Sequence, residues 1–419
     1  MKVLVIGGGG REYAIVKKLS ESKKVDEIIV APGNGGIEDI ATCVKISATD
    51  VEGMTRFAVE NNIDFCVVTP DDPLALGMVD AMENAGIPSF GPNKAAARIE
   101  ASKSFAKEIM RKYSIPTADY MLFEDKDEAK AYIAKKGAPI VIKADGLAKG
   151  KGVIVAQTVE EAIEAVNTVS DEKEFGKAGS KILVEECLFG TEASIMCFSD
   201  GKNIKPMISS QDHKRIFDGD KGGNTGGMGA FAPSPFYTDD VREITEKNIL
   251  RAAVDGMAKE GCPFKGVLYA GIMITKDGPK VIEFNSRFGD PETQVVLPLL
   301  KSDLMDIMMA SREGTLDKID VEWSDEASAI VIMSSKGYPG KSETGYEITG
   351  LDEVCDAQIV HAGTKKVDGK FVTSGGRVLG VLAKGENLDE ALAKAYREIK
   401  KVKFEGAHYR NDIGGSLRK

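Results

Sequence analysis

The sequence has little that suits a nucleic-acid-binding protein. Aromatic residues make up 6% of its 419 residues, with a single Trp, and 55 Lys and Arg against 65 Asp and Glu give a formal net charge of -10. Binding to a nucleic-acid backbone needs clustered positive charge, and stacking on bases needs aromatic rings. We therefore expect no nucleic-acid partner, and we expect any bound phosphate to be held by a local group of residues.

Cysteine, histidine and long apolar runs are scarce as well. The six Cys residues form no C-x-x-C pair, and the three His residues lie far apart in the sequence, so a zinc site is not indicated. A chain of this length needs no disulfides, which favours reduced thiols and a cytoplasmic location. The apolar run near the start of the chain is too short for a signal peptide or a membrane span. We expect no contact with a membrane.

Apolar residues, in contrast, make up 42% of the chain, whose length suggests about three domains. Short apolar runs alternate with helical patterns in the first part of the chain, which predicts a doubly wound parallel sheet. The strand patterns cover residues 3–6, 27–30, 64–69 and 87–90, and the helical patterns cover residues 11–19, 74–85 and 94–113.

The later segments predict three further units. A small α+β lobe is indicated by strands at 140–144, 153–156 and 182–185 and by a helix at 160–169. It is followed by a strand at 193–198, a glycine-rich loop at 219–229, a helix at 239–259, and a hairpin of residues 266–275 and 280–285 that turns at 276–279. The last unit has strands at 327–333, 357–362 and 378–383 and a helix at 388–401.

The glycine run at residues 7–10 follows a strand and opens a helix, where backbone N–H groups can bind a phosphate. A tight turn is an equally good interpretation. The run is not a dinucleotide fingerprint, because Glu12 takes the place of the third glycine and the next strand ends without an acid for a ribose.

The loop at residues 145–152, DGLAKGKG, is rich in glycine and lysine and joins two strands. It fails the Walker A pattern, because its spacing is one residue shorter, Gly152 replaces the hydroxyl residue, and a strand follows where a helix is needed. With Lys143 upstream, it can close over a triphosphate through amide and ammonium groups. The alternative is an exposed hairpin turn.

Glu283, Asn285 and Arg287 alternate along the second strand of the predicted hairpin and therefore point the same way. A carboxylate and an amide oxygen suit Mg²⁺, which takes few protein ligands and completes its shell with substrate phosphates. A neighbouring guanidinium suits a phosphoryl oxygen. Asp290 and Glu292 follow just beyond the strand. The alternative is a solvated strand face with a surface ion pair.

Two further stretches concentrate polar groups. Residues 209–215, SSQDHKR, precede the loop GGNTGGMG at residues 222–229, whose glycines suit a close approach of backbone to a ligand. A disordered surface loop is the competing interpretation. Residues 185–192 place two acids at a strand end, where a charged terminus is the alternative.

Taken in order, these stretches resemble the ATP-grasp superfamily and, within it, the phosphoribosylamine–glycine ligase family. The resemblance covers essentially the whole chain and includes VLVIGGGGRE, APGNGG, GPNKAAARIEASKSFAK, VIKADGLAKGKGVIVA, LVEECLFGTEAS, SQDHKRIFDGDKGGNTGGMGA, EFNSRFGDPETQ and GGRVLGV. It implies an α/β protein with a substrate-binding domain at 1–100, an ATP-grasp domain at 101–325 with a mobile lid at 118–192, and a C-terminal α/β domain at 326–419.

The resemblance also implies a reaction. ATP phosphorylates the carboxylate of glycine, and the amine of 5-phosphoribosylamine attacks the resulting glycyl phosphate, which gives glycinamide ribonucleotide, ADP and phosphate in de novo purine biosynthesis. Mg²⁺, or alternatively Mn²⁺, is the implied metal, and a monomer is expected. Catalysis is then mainly positioning and charge neutralisation, without an enzyme nucleophile.

Site residues follow from the resemblance by position. The implied catalytic residues are Arg287, Lys143 and Asp212, and the implied metal ligands are Glu283 and Asn285. ATP would be held by Lys103, Lys143, Gly146, Lys149, Gly150, Lys151, Gly152, Glu185, Glu186, Leu188 and Glu192. Glycine and 5-phosphoribosylamine would be held by Gly9, Gly10, Arg11, Asn34, Asp71, Asp212, Lys214, Asn224, Thr225, Gly226, Asp290 and Glu292.

The sequence departs from the family pattern in four places. Gly8 and Tyr13 stand where the family usually has Asn and His, and Asp71 stands where it has Glu. The strand at 266–275 also lacks the acid that many superfamily members carry there. Three other functions compete with this one: a related purine ligase that uses formate or bicarbonate, a nucleotide-binding protein without catalysis, and a nicotinamide dehydrogenase, which the broken fingerprint disfavours.

Overall fold

The first sheet is parallel and follows the predicted winding. In this computed structural model, which describes residues 1–147, 152–171 and 179–415, its strands run in the order β3-β2-β1-β4-β5. They are β1 (Lys2–Gly7), β2 (Glu27–Pro32), β3 (Thr42–Cys43), β4 (Phe65–Val68) and β5 (Ser89–Phe90). Val3 to Ile6 are fully buried, as expected for a strand covered on both faces.

The strand order reverses between β1 and β4, so the loops that follow these two strands meet at one edge of the sheet. In open α/β sheets this crevice is where ligands bind. Helices α1 (Gly10–Leu19), α2 (Val51–Glu60), α3 (Asp71–Leu76) and α4 (Met78–Asn84) accompany the sheet. The glycine run and Asp71 therefore come to the same edge.

Two helices predicted as single pieces are divided, and both predictions were wrong in this respect. Residues 94–113 form α5 (Lys94–Ala101) and α6 (Lys103–Lys112), because Ser102 is extended and its hydroxyl accepts a hydrogen bond from Phe105 N, as an N-cap does. Residues 74–85 fall in α3 and α4, which are separated by Gly77 at a φ of +92°.

The small α+β lobe has the predicted strands and an additional one. Its antiparallel sheet has the order β6-β9-β7-β8. The strands are β6 (Tyr120–Phe123), β7 (Ile140–Ala144), β8 (Val153–Ala156) and β9 (Ile182–Glu186), with helices α7 (Lys126–Lys136) and α8 (Val159–Val169). Residues 148–151, in the predicted flap between β7 and β8, lie outside the described residues.

The central sheet is antiparallel, in the order β11-β10-β16-β17. Its strands are β10 (Thr191–Asp200), β11 (Ile204–Pro206), β16 (Lys265–Thr275) and β17 (Gly278–Asn285). The hairpin turn is two residues shorter than predicted, because Gly278 and Pro279 already pair with β16. Helix α9 (Asp239–Ile244), a π-helical stretch (Thr245–Arg251) and α10 (Ala252–Lys259) occupy the predicted helix.

The last sheet takes strands from two separate parts of the chain. Its order is β12-β15-β18-β22-β19, so β12 (Gln211–Asp212) and β15 (Gly229–Ala232) join β18 (Ala327–Ser334), β19 (Gln358–His361) and β22 (Arg377–Gly385). A hairpin of β20 (Thr364–Val367) and β21 (Lys370–Thr373) follows β19. The remaining α-helices of the described residues are α11 (Glu292–Val296), α12 (Leu304–Glu313) and α13 (Leu388–Ile399).

The glycine-rich segment at 219–229, predicted as a loop, is partly a strand. β14 (Lys221–Asn224) pairs with β13 (Arg215–Phe217). The glycine at position 222 has a φ of +79°, a left-handed backbone conformation that glycine adopts without steric cost. Among the described residues, no helix combines the length and the apolar character needed to cross a membrane.

Arg410 links the β13–β14 hairpin to the C-terminal segment. Its side chain is 1% exposed and pairs with Asp220 at 2.9 Å and Asp412 at 2.7 Å, while Nη1 donates to Arg215 O. Arg410→Met should lower the free energy of unfolding by about 2–3 kcal/mol, because both carboxylates and the carbonyl lose their partner. Urea unfolding followed by circular dichroism measures this change. Arg397→Met, whose side chain is 55% exposed, should cost less than about 1 kcal/mol, and equal losses in the two variants would contradict this account.

Candidate active site

Glu12 organises the glycine loop after β1. Its Oε2 accepts from Gly9 N at 2.6 Å, and its Oε1 accepts from Thr69 Oγ1 at 2.7 Å and from Arg11 Nε at 2.6 Å. The acid that breaks the dinucleotide fingerprint therefore ties the β1 loop to the β4 loop. Because Gly9 N is already bound, a phosphate at this edge would have to use other donors.

The side chain of Asn34, predicted to face the phosphoribosyl group, is occupied by the protein. Oδ1 accepts from Gly36 N and Ile37 N at 3.0 Å each, and Nδ2 donates to Gly8 O at 2.9 Å and His361 O at 3.1 Å. These four bonds use the normal capacity of an amide side chain. Asn34 therefore shapes the loop and joins it to the C-terminal segment.

Glu283 lies on β17 at the centre of a group of positive charges. The side chains that act on it electrostatically are Lys214, Lys143, Lys103 and Arg287. Burial alone would raise the pKa of Glu283, but these four cations outweigh it and hold the pKa below its ordinary value. The structure thus brings one acid close to four cations, of which Lys214 was predicted to bind the acceptor substrates and the other three to act on ATP.

Arg287 pairs with Glu100, an acid that is not among the predicted site residues. Its Nη2 pairs with Glu100 Oε1 at 2.9 Å and donates to Asn285 Oδ1 at 3.2 Å. The other oxygen of Glu100 accepts from Ser286 N and Oγ, both at 2.9 Å. Burial opposes the charge on Arg287, but Glu100 and then Asp71 raise its pKa overall. The guanidinium therefore stays charged beside Asn285.

Lys143 reaches from the small lobe to β17, where Nζ donates to Ile282 O at 3.0 Å. It also pairs at 2.8 Å with Glu185, which lies 3.2 Å from the nitrogen of a second buried lysine, Lys107. Burial, ahead of the opposing effect of Glu185, lowers the pKa of Lys107 to about 8. Two lysines and one carboxylate are thus enclosed together, with one more positive charge than negative.

The start of the predicted flap lies beside α6. Lys103 Nζ donates to Gly146 O at 3.0 Å, and Ala144 N donates to Gly152 O at 2.8 Å. Burial lowers the pKa of Lys103 against the attraction of Glu283. Both described ends of the flap are therefore close to the lysines of the site, whereas Lys149, Gly150 and Lys151 lie outside the described residues.

Asp212 and Lys214 lie at the edge of the last sheet. Lys214 Nζ is 3.3 Å from Glu192, the residue predicted to bind a ribose. Glu192, ahead of the opposing effect of burial, raises the pKa of Lys214. Burial, helped by Glu292 and Glu192 against Lys214, raises the pKa of Asp212 to about 7. A carboxyl group with this pKa can exchange a proton near neutral pH.

Glu292 belongs to a buried polar triad. Its Oε1 accepts from Tyr269 OH at 2.9 Å and from Ser194 Oγ at 3.2 Å, and the two hydroxyl groups are 2.8 Å apart. Tyr269 lies on β16 directly opposite Asn285. The triad therefore links the predicted substrate residue Glu292 to the predicted metal strand.

Residues 224–227 turn beside Asp290. Thr225 Oγ1 donates to Lys214 O at 2.8 Å and accepts from Gly227 N at 2.9 Å. Asp290 Oδ1 accepts from Gln294 Nε2 at 2.6 Å. Although burial raises the pKa of Asp290, Arg377 and then Arg11 lower it overall. Arg377 Nη1 donates to both Gly226 O and Asp290 O, which places this turn beside Asp290, while Asn224 ends β14.

Some predicted residues lie at the margin of this group. Glu186 is exposed at the end of β9, 3.9 Å from Lys280, and Leu188 lies in the connection to β10. Gly10 packs closely against Gln294, since a Cβ there would lie 2.8 Å from Gln294 Nε2. Asp71 opens α3 and acts electrostatically on Arg287.

Four neighbours of the site were missed in the sequence: Glu100, Lys107, Tyr269 and Arg377. The helical pattern at 94–113 contains Glu100 and Lys107, but no local spacing relates them to β17. Tyr269 could have been found from the hairpin, whose register pairs it with Asn285. The predicted turn was too long to give that register.

The residues present fit a magnesium ion that is shared with a substrate. Glu283 and Asn285 are two residues apart on β17 and offer a carboxylate and an amide oxygen, which are hard ligands. Within the described residues, no group of three or more His, Cys, Asp and Glu could hold a metal ion. Any Mg²⁺ at β17 would therefore complete its shell with phosphate oxygens and water.

Comparison with known proteins places the chain among the ATP-grasp ligases. Three family models match it: the phosphoribosylglycinamide synthetase N domain at residues 1–100, the ATP-grasp (A) domain at 101–293 and the C domain at 328–416. The chain therefore belongs to the phosphoribosylglycinamide synthetase family, which confirms the resemblance seen in the sequence. It is an ATP-dependent ligase.

Individual relatives agree with this assignment. The phosphoribosylamine–glycine ligase of Caldanaerobacter subterraneus is 51% identical over 99% of this chain and 99% of its own length. The crystal structure of the ligase of that name from Thermotoga maritima has a TM-score of 0.86 and 34% identity, covering 99% of this chain and 100% of that one. A biotin carboxylase domain from Hydrogenobacter thermophilus, crystallised with MgADP and bicarbonate, shares the fold at a TM-score of 0.74 and 16% identity, over 97% of this chain and 91% of that one.

The pKa of Asp212 predicts a pH-dependent stability. Because the folded pKa of about 7 lies above the unfolded value, the folded protein binds more protons between the two, and the contribution of Asp212 to stability falls as pH rises. Asp212→Asn removes this loss. Its free energy of unfolding relative to the parent should rise by about 2–4 kcal/mol from pH 4 to pH 8, as measured by urea unfolding.

The matched control for this measurement is Asp277→Asn in the exposed hairpin turn. Its difference from the parent should stay constant with pH. A constant difference for Asp212→Asn as well would show that Asp212 ionises as freely in the folded protein as in the unfolded chain.

Proposed function

We propose that the chain joins glycine to 5-phosphoribosylamine with ATP and forms glycinamide ribonucleotide, ADP and phosphate in de novo purine biosynthesis. A carboxylate is a poor acyl donor. Transfer of the γ-phosphoryl group to the glycine carboxylate gives glycyl phosphate, from which phosphate can leave when the amine attacks the carbonyl carbon. Each step forms one bond and breaks one, and the amine loses a proton.

This proposal rests on the four cations, Lys214, Lys143, Lys103 and Arg287, that act electrostatically on Glu283. They come from different parts of the chain, namely α6, the small lobe, the segment after β12 and the segment after β17. Phosphoryl transfer depends mainly on positioning and on neutralising charge that is spread over phosphate oxygens. A prearranged group of cations of this kind fits a triphosphate better than it fits any uncharged substrate.

Glu283 and Asn285 are the residues that would hold Mg²⁺, or Mn²⁺ in its place. When bound, the ion supplies charge neutralisation and a fixed orientation to the phosphate oxygens. Lys103 and Lys143 would contact the phosphates, and Arg287 would meet the transferring phosphoryl group. The segment Glu185 to Leu188 would hold the adenine, Glu192 the ribose, and Gly146 to Gly152 would cover the nucleotide.

The acceptor substrates would lie beside the same strand, toward β12 and the glycine loop. The place where glycyl phosphate would meet the amine would be lined by Asp212, Lys214, Thr225, Gly226, Asp290 and Glu292. Asp212 is the group that we assign to take the amine proton, because its pKa of about 7 suits proton transfer at neutral pH. The phosphoribosyl group would extend toward Gly9, Gly10 and Arg11.

We further propose the domain division 1–100, 101–325 and 326–419, with residues 118–192 as the lid, and a cytoplasmic location. Support for the lid comes from its separate four-stranded sheet. Support for the location comes from the cysteines, all six of which are free in the structure, as expected in a reducing compartment.

The direct test is ADP formation with 5-phosphoribosylamine generated in situ. We expect ADP release to require both glycine and the amine, and mass spectrometry to detect glycinamide ribonucleotide. ADP release that needs bicarbonate or formate and proceeds without glycine would assign the chain to a different acyl donor.

Glu283→Gln should lower kcat at least about 10³-fold, because it removes the charge at the centre of the site while keeping the shape of the side chain. Steady-state assays at saturating Mg²⁺ measure the effect. Asp277→Asn, in the exposed turn of the same hairpin, should keep kcat within about twofold of the parent. A kcat near that of the parent for Glu283→Gln would refute its assignment as a metal ligand.

A further inference from the structure

Arg377 brings the C-terminal segment into contact with the acceptor side of the site. It is the first residue of β22, and its side chain is 21% exposed. Nη1 donates to Gly226 O at 2.6 Å and to Asp290 O at 2.9 Å, and Nη2 pairs with Asp290 Oδ2 at 2.9 Å. One guanidinium thus joins the glycine loop to the acid that follows β17.

Gly226 and Gly227 pack so closely against Arg377 and Pro291 that neither position has room for a side chain. A Cβ at Gly226 would lie 2.9 Å from Arg377 Cζ, and a Cβ at Gly227, whose φ is +113°, would lie 2.4 Å from Pro291 Cδ. A second C-terminal side chain acts at the same place, because Tyr338 OH accepts from Gly226 N at 2.9 Å. The backbone of Gly226 is therefore held at both its N–H and its C=O.

The side-chain hydrogen bonds of Arg377 among the described residues go to the loop and the acid that we assign to the acceptor substrates. Asp290, its partner, is also influenced by Arg11 of the glycine run, and a Cβ at Gly9 would lie 3.5 Å from Asp290 Oδ2. The hydrogen bonds and the ion pair of Arg377 go to Gly226 and Asp290, whereas Lys143 and Glu185, on the nucleotide side, pair with each other. A substitution of Arg377 should therefore weaken binding of the amine more than binding of ATP.

We propose that Arg377 is a positioning residue for the amine acceptor, which it serves by fixing Gly226 and Asp290 in the geometry that receives 5-phosphoribosylamine. This inference rests on the proposed function and explains what the C-terminal segment contributes to the reaction. A bidentate guanidinium suits the role because it can hold a carbonyl and a carboxylate at the same time in fixed directions.

The test compares Arg377→Met and Arg377→Lys with the parent and with Arg397→Met, a control on the exposed face of α13. For each protein we measure kcat and the KM values for ATP, glycine and in situ 5-phosphoribosylamine, together with ATP binding by calorimetry. Arg377→Met should raise the KM for 5-phosphoribosylamine at least tenfold, while the KM and the affinity for ATP stay within twofold. Arg377→Lys should recover part of this loss, because it keeps the charge beside Asp290 but cannot hold both partners.

The outcomes separate the two proposals. An inactive parent would refute the proposed function, whereas an active parent with an unchanged amine KM in Arg377→Met would refute the positioning role alone. A rise in the ATP KM as large as that in the amine KM, or a fall in kcat with both KM values unchanged, would also overturn it. If Arg377→Met does not fold, Tyr338→Phe decides the question: we expect an amine KM raised about threefold, and an amine KM equal to that of the parent would refute the role.

Discussion

The structure depends on how positive charge is kept beside a single carboxylate at the end of β17. Charged groups removed from water are costly unless each has a partner. The protein meets this requirement by placing an acid against each of three of the cations near Glu283: Glu100 against Arg287, Glu185 against Lys143, and Glu192 against Lys214. The partners hold the cations in place before any substrate arrives, so little reorganisation is needed when a triphosphate binds.

This arrangement explains why the chain brings separate segments to one edge. The parallel sheet contributes the loops after β1 and β4, the small lobe contributes Lys143 and Glu185, and the central hairpin contributes Glu283 and Asn285. The last sheet takes β12 and β15 from the middle of the chain and extends them with C-terminal strands. Asp212 and the glycine loop consequently pack against the C-terminal segment, although both precede β17 in the sequence.

The sequence predicted the parts of the site that depend on local periodicity. Glu283 and Asn285 share a face because a strand alternates, and the hairpin was recognised from its Asp-Gly turn. Glu100 could not be predicted in the same way, since its role depends on the packing of α5 against the end of β17, far away in the chain. Lys107 and Arg377 were missed for the same reason. Lys107 pairs with Glu185, and Arg377 pairs with Asp290. Both partners are distant in the sequence and come near only through the tertiary structure.

Two of the four departures from the family pattern, at positions 8 and 13, can be related to neighbouring residues. A Cβ at Gly8 would lie 2.4 Å from Gly33 O, so the β1 loop as it stands here has no room for the asparagine that the family usually carries. The amide of Asn34 donates to Gly8 O at 2.9 Å. Tyr13, where the family has histidine, packs its ring 5.8 Å from that of His361, whose backbone oxygen also accepts from Asn34. Positions 8 and 13 therefore take part in one set of contacts between the first loop and β19, and none of these contacts involves the cations that act on Glu283.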